Sequence, residues 1–179
     1  MHPIWSNIFR EKEKGKSTIA TLLIQVPIFR GLSKSQLREF ARIAHVRRYD
    51  TGEVVFWKGE PGVGMYIIQK GRVSVFVGEN PAQPDYVLAT LQNGDFFGEL
   101  ALLDDSPRSA SVAATEPTKL IGIFRPDLFS LFERRPKLGV LVLTKLAQMV
   151  GERLKHTNEA LEACRKAESM PTKAGEAVS

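Results

Sequence analysis

Gly94-Asp95-Phe96-Phe97-Gly98-Glu99-Leu100-Ala101-Leu102-Leu103-Asp104-Asp105-Ser106-Pro107-Arg108-Ser109-Ala110-Ser111 places a turn, a bare backbone position, a carboxylate, one apolar helical turn and an arginine in a single short stretch. Asn93-Gly94 is a turn signal that closes an apolar strand ending at Leu91. Gly98 has no side chain, so its backbone can take an unusual φ or lie close against a ligand. Leu100 to Leu103 are good helix formers. The start of even one helical turn offers unpaired N–H groups and partial positive charge to an anion. Pro107 stops that turn. Arg108 then stands at the entry to an apolar strand candidate, Ser109 to Ala114, and its fork of donors suits bidentate phosphate binding. Glu99 is repelled by the same phosphate but accepts a hydrogen bond from a sugar hydroxyl. The pair therefore specifies a sugar and a phosphate held together. An isolated Glu and Arg would read as a surface ion pair worth little; the whole string argues against that reading.

Phe97-Gly98-Glu99-Leu100-Ala101-Leu102, with Pro107-Arg108-Ser109-Ala110-Ser111 after a short spacer, resembles the phosphate-binding cassette of cyclic nucleotide-binding domains. Such domains occur in the regulatory subunit of protein kinase A, in cyclic nucleotide-gated channels and in the bacterial catabolite activator protein. The resemblance runs over residues 27 to 161 and includes the entry pattern Pro27-Ile28-Phe29-Arg30-Gly31-Leu32-Ser33. It implies that Glu99 binds the ribose 2′-hydroxyl and Arg108 the cyclic phosphate, and that backbone amides at Gly98, Leu100 and Ala101 complete the cradle. By the same resemblance Val75 and Leu88 face the base and ribose, with core packing as the competing reading. Thr157-Asn158 falls where the catabolite activator group has a hydroxyl pair reaching the adenine, although here Asn replaces one hydroxyl and a solvated helical step is the alternative. Ser109 resembles a position that meets the guanine amino group in cyclic GMP-preferring kinase domains. The catabolite activator also has serine there and prefers cyclic AMP, so the reading leans to cyclic AMP with cyclic GMP open.

The chain has 179 residues, 43% hydrophobic and 25% charged, ordinary values for one buried domain with extra helices. No apolar run is long enough to span a membrane. Met1 to Arg10 lacks the order of a signal peptide, which predicts a cytoplasmic location. The net charge of +5 is spread along the chain and suits an anionic ligand without predicting nucleic acid binding. A single cysteine, Cys164, permits no internal disulfide, and His2, His45 and His156 share no ligand spacing, so no metal is expected.

Along the chain, residues 1–26 read as an N-terminal helical extension, with Trp5, Ile8 and Phe9 on one helical face and Ser17 or Thr18 capping a helix that runs to Val26. Ser33 caps a further helix that His45 ends. From Val46 the period becomes alternating, with strands at Val46 to Tyr49, Val54 to Trp57, Met65 to Gln69, Val73 to Val77, Tyr86 to Leu91, Ser109 to Ala114 and Lys119 to Phe124. Glycine turns punctuate them, which indicates a sandwich or barrel. The expected class is mainly β with flanking helices: an antiparallel β-roll, jelly-roll-like, with N-terminal helices and a long C-terminal helix. Pro126 opens a short helix and Pro136 a long one. Leu143, Leu146, Val150, Leu154, Thr157 and Leu161 form an apolar stripe on it, to be buried against the roll or against the same helix of a second subunit. The binding domain is placed at residues 27–164 and a disordered tail at 165–179.

These readings predict a stand-alone, non-enzymatic cyclic nucleotide sensor that signals occupancy to a protein effector by moving its C-terminal helices. A homodimer through the long helix is open. The rivals are an interaction module on the same fold with a vestigial pocket, a cupin-like enzyme that the histidines do not support, and a fragment of a catabolite-activator-type regulator. No direct DNA binding is expected, because the helix-turn-helix domain of such regulators has no counterpart here.

Overall fold

At Ala44 a helical period gives way to alternation without an intervening loop, and the two halves of the architecture meet there. In a computed structural model, which describes residues 19–168, helix α1 (Lys34–Ile43) runs directly into strand β1 (Ala44–Tyr49). Ser33 caps α1 reciprocally: the Gln36 N–H donates to Ser33 Oγ at 3.3 Å, and the Ser33 N–H donates to Gln36 Oε1 at 2.8 Å. The helix ends at Ile43, one residue pair before the expected His45. His45 instead lies in β1, where Nε2 is 2.9 Å from Asp127 Oδ2.

Beyond β1 follow β2 (Val54–Phe56), β3 (Gly64–Lys70), β4 (Arg72–Val77), β5 (Tyr86–Gln92), β6 (Phe96–Phe97), β7 (Ser111–Ala114) and β8 (Thr118–Phe124). They form two antiparallel sheets of four strands, ordered β1-β8-β3-β6 and β2-β7-β4-β5. The expected mainly β roll with flanking helices is therefore present. The two-residue β6 is an addition to the expected set, and β7 begins at Ser111 rather than Ser109.

Alternation along β3 and β8 sorts the core. Met65, Ile67, Ile121 and Ile123 face the helices, together with Phe29, Leu37, Phe40 and Leu128. Tyr66, Ile68 and Leu120 face the second sheet, together with Phe56, Val73, Phe97 and Val112. The β3–β4 turn carries the chain between sheets at Gly71, whose φ is +105° and where a Cβ would stand 2.7 Å from Thr118 Cα. No side chain fits that turn. Burial beside Tyr66 pushes the Tyr49 phenol up to about 12 from 10.0. The unfolded chain then ionises first, so stability falls as pH rises from about 10 to about 12. Denaturant titrations across that range are expected to show the loss, reduced in Tyr49→Phe.

Helices α2 (Arg125–Arg134, with Pro126 in its first turn) and α3 (Pro136–Glu168) follow β8. The first half of α3 is anchored by buried Leu138, Val142, Leu146 and Met149. The second half is not: Leu154 and Leu161 are 60% and 48% exposed. The roll thus covers only the first half of the expected stripe, because the helix outruns it. The helix also continues to Glu168, past the expected tail boundary at Arg165. Residues 19–23 are helical and turn before Val26, short of the expected end. The Trp5, Ile8 and Phe9 face, the cap at Ser17 or Thr18 and the tail beyond Glu168 fall outside the described residues. Among the described residues no helix is long and apolar enough to cross a membrane.

Candidate ligand-binding site

The chain leaves β6 at Gly98, which adopts a left-handed conformation (φ +74°, ψ 17°) and turns the backbone into a 3-10 helix, Glu99–Leu102. The expected one-turn helix is therefore present in its tighter form, with the Ala101 N–H returned to Gly98 O at 3.3 Å. Ala101 and Leu102 are buried and hold the turn against the roll, while Leu100 is 46% exposed at the cavity rim.

Arg108 is held by a loop rather than by the strand expected to carry it. Its N–H donates to Glu60 O and its carbonyl accepts from the Gly59 N–H, both at 2.8 Å, next to an isolated bridge between Pro61 and Pro107. The guanidinium lies over the Phe56 ring at 4.1 Å and donates from Nη1 to Gly98 O at 3.2 Å. Although only 7% of the residue is exposed, no carboxylate among the described residues pairs with it, and its buried Nε has no hydrogen-bond partner. Burial pushes the guanidinium pKa down, with Tyr66, Glu60 and Glu99 acting in the opposite direction. A desolvated cation with spare donors is an arrangement that an anion completes.

Glu99 is equally buried, at 4% exposure. One of its carboxylate oxygens, Oε1, accepts a hydrogen bond from Arg153 Nη1 of α3. Arg153 in turn lies 5.0 Å over the Phe96 ring. A carboxylate can accept several hydrogen bonds, so Glu99 can hold a hydroxyl while keeping Arg153. The two charged residues open onto a cavity of about 420 Å³ walled by Val75, Ala89, Leu91 and Val112 from the second sheet and by Phe96 and Phe97. An apolar wall with a few convergent polar groups is the usual make-up of a small-molecule site.

Of the residues read from the sequence, Gly98, Glu99, Leu100, Ala101, Arg108, Ser109 and Val75 all line this one cavity. Leu88 does not. Val75 pairs with Ala89 and Phe76 with Val87, so Leu88 is the extra residue of a bulge and lies 60% exposed. Ala89 and Leu91 take the wall positions instead. Thr157 and Asn158 are also outside the lining, exposed on the outer half of α3, where Thr157 Oγ1 donates to Arg153 O at 2.8 Å. Arg153, which also lines the cavity and pairs with Glu99, is the residue that the motif reading did not single out. Its own signal is position: it falls four residues after Met149 and seven after Leu146, so it continues the face that packs on the roll, although its side chain is itself half exposed.

A second arginine ties the cassette to the helices. Arg125, the first residue of α2, donates from Nη1 to Asp104 O at 2.9 Å, pairs with Asp105 and lies 5.3 Å over Phe129. The cassette therefore touches α2 through Arg125 and α3 through Arg153. Arg153→Ala is expected to strand the buried Glu99 carboxylate and lower stability by about 1–3 kcal/mol, which chemical denaturation would read. Arg153→Lys is expected to recover part of that loss.

A family model for the cyclic nucleotide-binding domain matches residues 46–135, and the chain belongs to that family. It is 34% identical over 136 residues to the cyclic AMP receptor protein of Thermus thermophilus, covering 76% of this chain and 61% of that one. It is 35% identical over 98 residues to a cAMP-dependent protein kinase regulatory subunit of Hypocrea atroviridis, covering 55% of this chain and 20% of that one. The chain thus spans less than two thirds of either relative. Among solved structures, a cyclic nucleotide-binding domain from Methylobacillus flagellatus superposes with a TM-score of 0.68 at 25% identity, covering 92% of this chain and 88% of that one. Among the described residues no cluster of histidine, cysteine and carboxylate side chains could hold a metal.

Proposed function

We propose that this chain is a non-enzymatic sensor whose cavity binds a 3′,5′-cyclic nucleotide, cyclic AMP in preference to cyclic GMP, and transmits occupancy through α3. The observation that carries the reading is the buried pair facing one cavity: Arg108, a cation without a carboxylate partner, and Glu99, a carboxylate with accepting capacity to spare. Arg108 takes the cyclic phosphate, Glu99 takes the ribose 2′-hydroxyl, and the N–H groups leading into Glu99–Leu102 complete the phosphate cradle. Val75, Ala89 and Leu91 give the base an apolar wall. Ser109, exposed at the rim, meets the polar edge of the base.

Transmission follows from Glu99 serving two partners. A ribose hydroxyl on this carboxylate changes how strongly it holds Arg153, and so biases the position of α3. The binding domain is assigned to residues 27–164 and the preceding residues to an extension. The protein acts in the cytoplasm on a protein effector, without a metal. Exposed Leu154 and Leu161 on α3 offer that effector a surface.

The test is the unfolding temperature with cyclic AMP, cyclic GMP and 5′-AMP. A ligand at about 100 times its Kd adds roughly 2.7 kcal/mol of stability. Stabilisation by cyclic AMP above cyclic GMP, with none from 5′-AMP, is the expected result. No shift with either cyclic nucleotide would leave an interaction module on the same fold.

A further inference from the structure

Strand β5 closes one edge of the second sheet and pairs with β4 alone. Its outer edge has no strand partner up to Gln92, whose N–H and carbonyl are both bonded to Asp95 at 2.9 Å, and such an edge is a template for another strand. Natural edges are commonly blunted by lysine, proline or a covering element, yet Tyr86-Val87-Leu88-Ala89-Thr90-Leu91-Gln92 holds no charge and no proline. Three successive large apolar side chains stand on it: Tyr86, Val87 and Leu88 are 70%, 56% and 60% exposed. The bulge at Leu88 twists one end of the strand, while Ala89 to Gln92 keeps regular register with β4. Val87 is backed by a rigid layer, since it pairs with Phe76, which is buried and meets the Trp57 ring edge-on at 6.1 Å.

The charges around this ribbon are polarised along it. Glu79 and Asp85 flank the tip of the β4–β5 hairpin, while its base carries Lys70 and Arg72 on β3 and β4, with Asp95 bonded to the Gln92 N–H and Glu116 in the loop that bonds Arg72. No ion pair among the described residues neutralises any of these charges. An antiparallel copy of the same ribbon reverses that polarity, so the acidic tip of one molecule lies beside Lys70 and Arg72 of the other. A parallel neighbour would set like charges together.

We infer that β5 is a self-association edge: two copies of this chain pair β5 with β5 antiparallel about a two-fold axis, joining their second sheets into one continuous sheet and covering Tyr86, Val87 and Leu88. Such an interface is isologous and closes as a dimer. It uses neither the nucleotide cavity nor the exposed face of α3.

Sedimentation velocity of the full chain from low to high micromolar concentration tests this, with Val87→Lys, Asp85→Arg, Arg72→Asp, the Asp85→Arg/Arg72→Asp double variant, and Leu154→Lys on α3 for comparison. Wild type is expected to shift toward twice the single-chain mass, and so is Leu154→Lys. Val87→Lys should remain at single-chain mass where wild type is dimeric, with an unchanged circular dichroism spectrum showing that it folds. Each single charge reversal should weaken the dimer about threefold to tenfold, and the double variant should regain part of it, because positions 85 and 72 then still face each other with opposite charge. Wild type at single-chain mass throughout would overturn the inference. So would self-association that Val87→Lys leaves unchanged and Leu154→Lys abolishes.

Discussion

Replacing Arg108 by alanine is expected to weaken cyclic nucleotide binding by about 3 kcal/mol or more, roughly a hundredfold in Kd, while leaving the fold intact. The other cation lining the cavity, Arg153, is half exposed and already paired with Glu99, so it does not replace the buried Arg108 charge on the phosphate. Its removal has little effect on stability because two terms oppose each other. The stacking on Phe56 is lost, worth about 0.5–2 kcal/mol. The cost of holding an unpaired cation out of water, visible in its lowered pKa, is relieved at the same time. The unfolding temperature without nucleotide should therefore stay close to that of wild type, while the shift on adding cyclic AMP disappears. Arg108→Lys keeps the charge but loses the planar fork and should bind with intermediate strength. Calorimetric titration of the three proteins separates the contributions, and wild-type affinity in Arg108→Ala would refute the phosphate assignment.

Gly98→Ala is expected to damage both fold and binding, with the same atoms responsible. The left-handed φ of +74° costs a residue with a Cβ about 1–2 kcal/mol. The added carbon would also stand 2.7 Å from Arg108 Nη1 and 3.2 Å from Gly64 O. The arginine can move and the β3 backbone cannot, so relaxation displaces the guanidinium from its place over Phe56. A stability loss of about 2 kcal/mol together with at least a tenfold loss in affinity is the expected pattern. Combining Gly98→Ala with Arg108→Ala supplies the cycle: the two changes should be far from additive in binding, since the first acts through the second. Additive losses would place the effect of Gly98 elsewhere.

These two residues were legible in the sequence because their chemistry is local. A glycine, a carboxylate, a helical turn and an arginine within one stretch describe a cradle before any long-range contact is known. The strands were legible for a similar reason, as short alternating runs between glycine turns. Leu88 was misplaced because one inserted residue in β5 reverses which side chains face the cavity, and a bulge leaves no mark in an alternation this short. Strand β6 escaped notice because two residues carry no period at all. The outer half of α3 shows the limit of periodicity from the other side. Leu154 and Leu161 continue the stripe faultlessly, but the pattern encodes only that a face is apolar and not how far the roll extends beneath it. Arg153 needed the fold, since its partner Glu99 lies in another element and only tertiary packing brings the two together.

The division of α3 has a mechanical corollary. Contacts with the body of the protein hold the helix up to Met149 and, through Glu99, at Arg153; from there to Glu168 it projects for fifteen residues, about 22 Å at 1.5 Å per residue. Arg153 is thus the fulcrum of a lever, and a tilt of about 10° there sweeps the far end by about 4 Å. The chemistry at Glu99 takes place over the length of a hydrogen bond. On the proposed mechanism the helix would gear that displacement up, delivering at its tip a movement large enough for another protein surface to register.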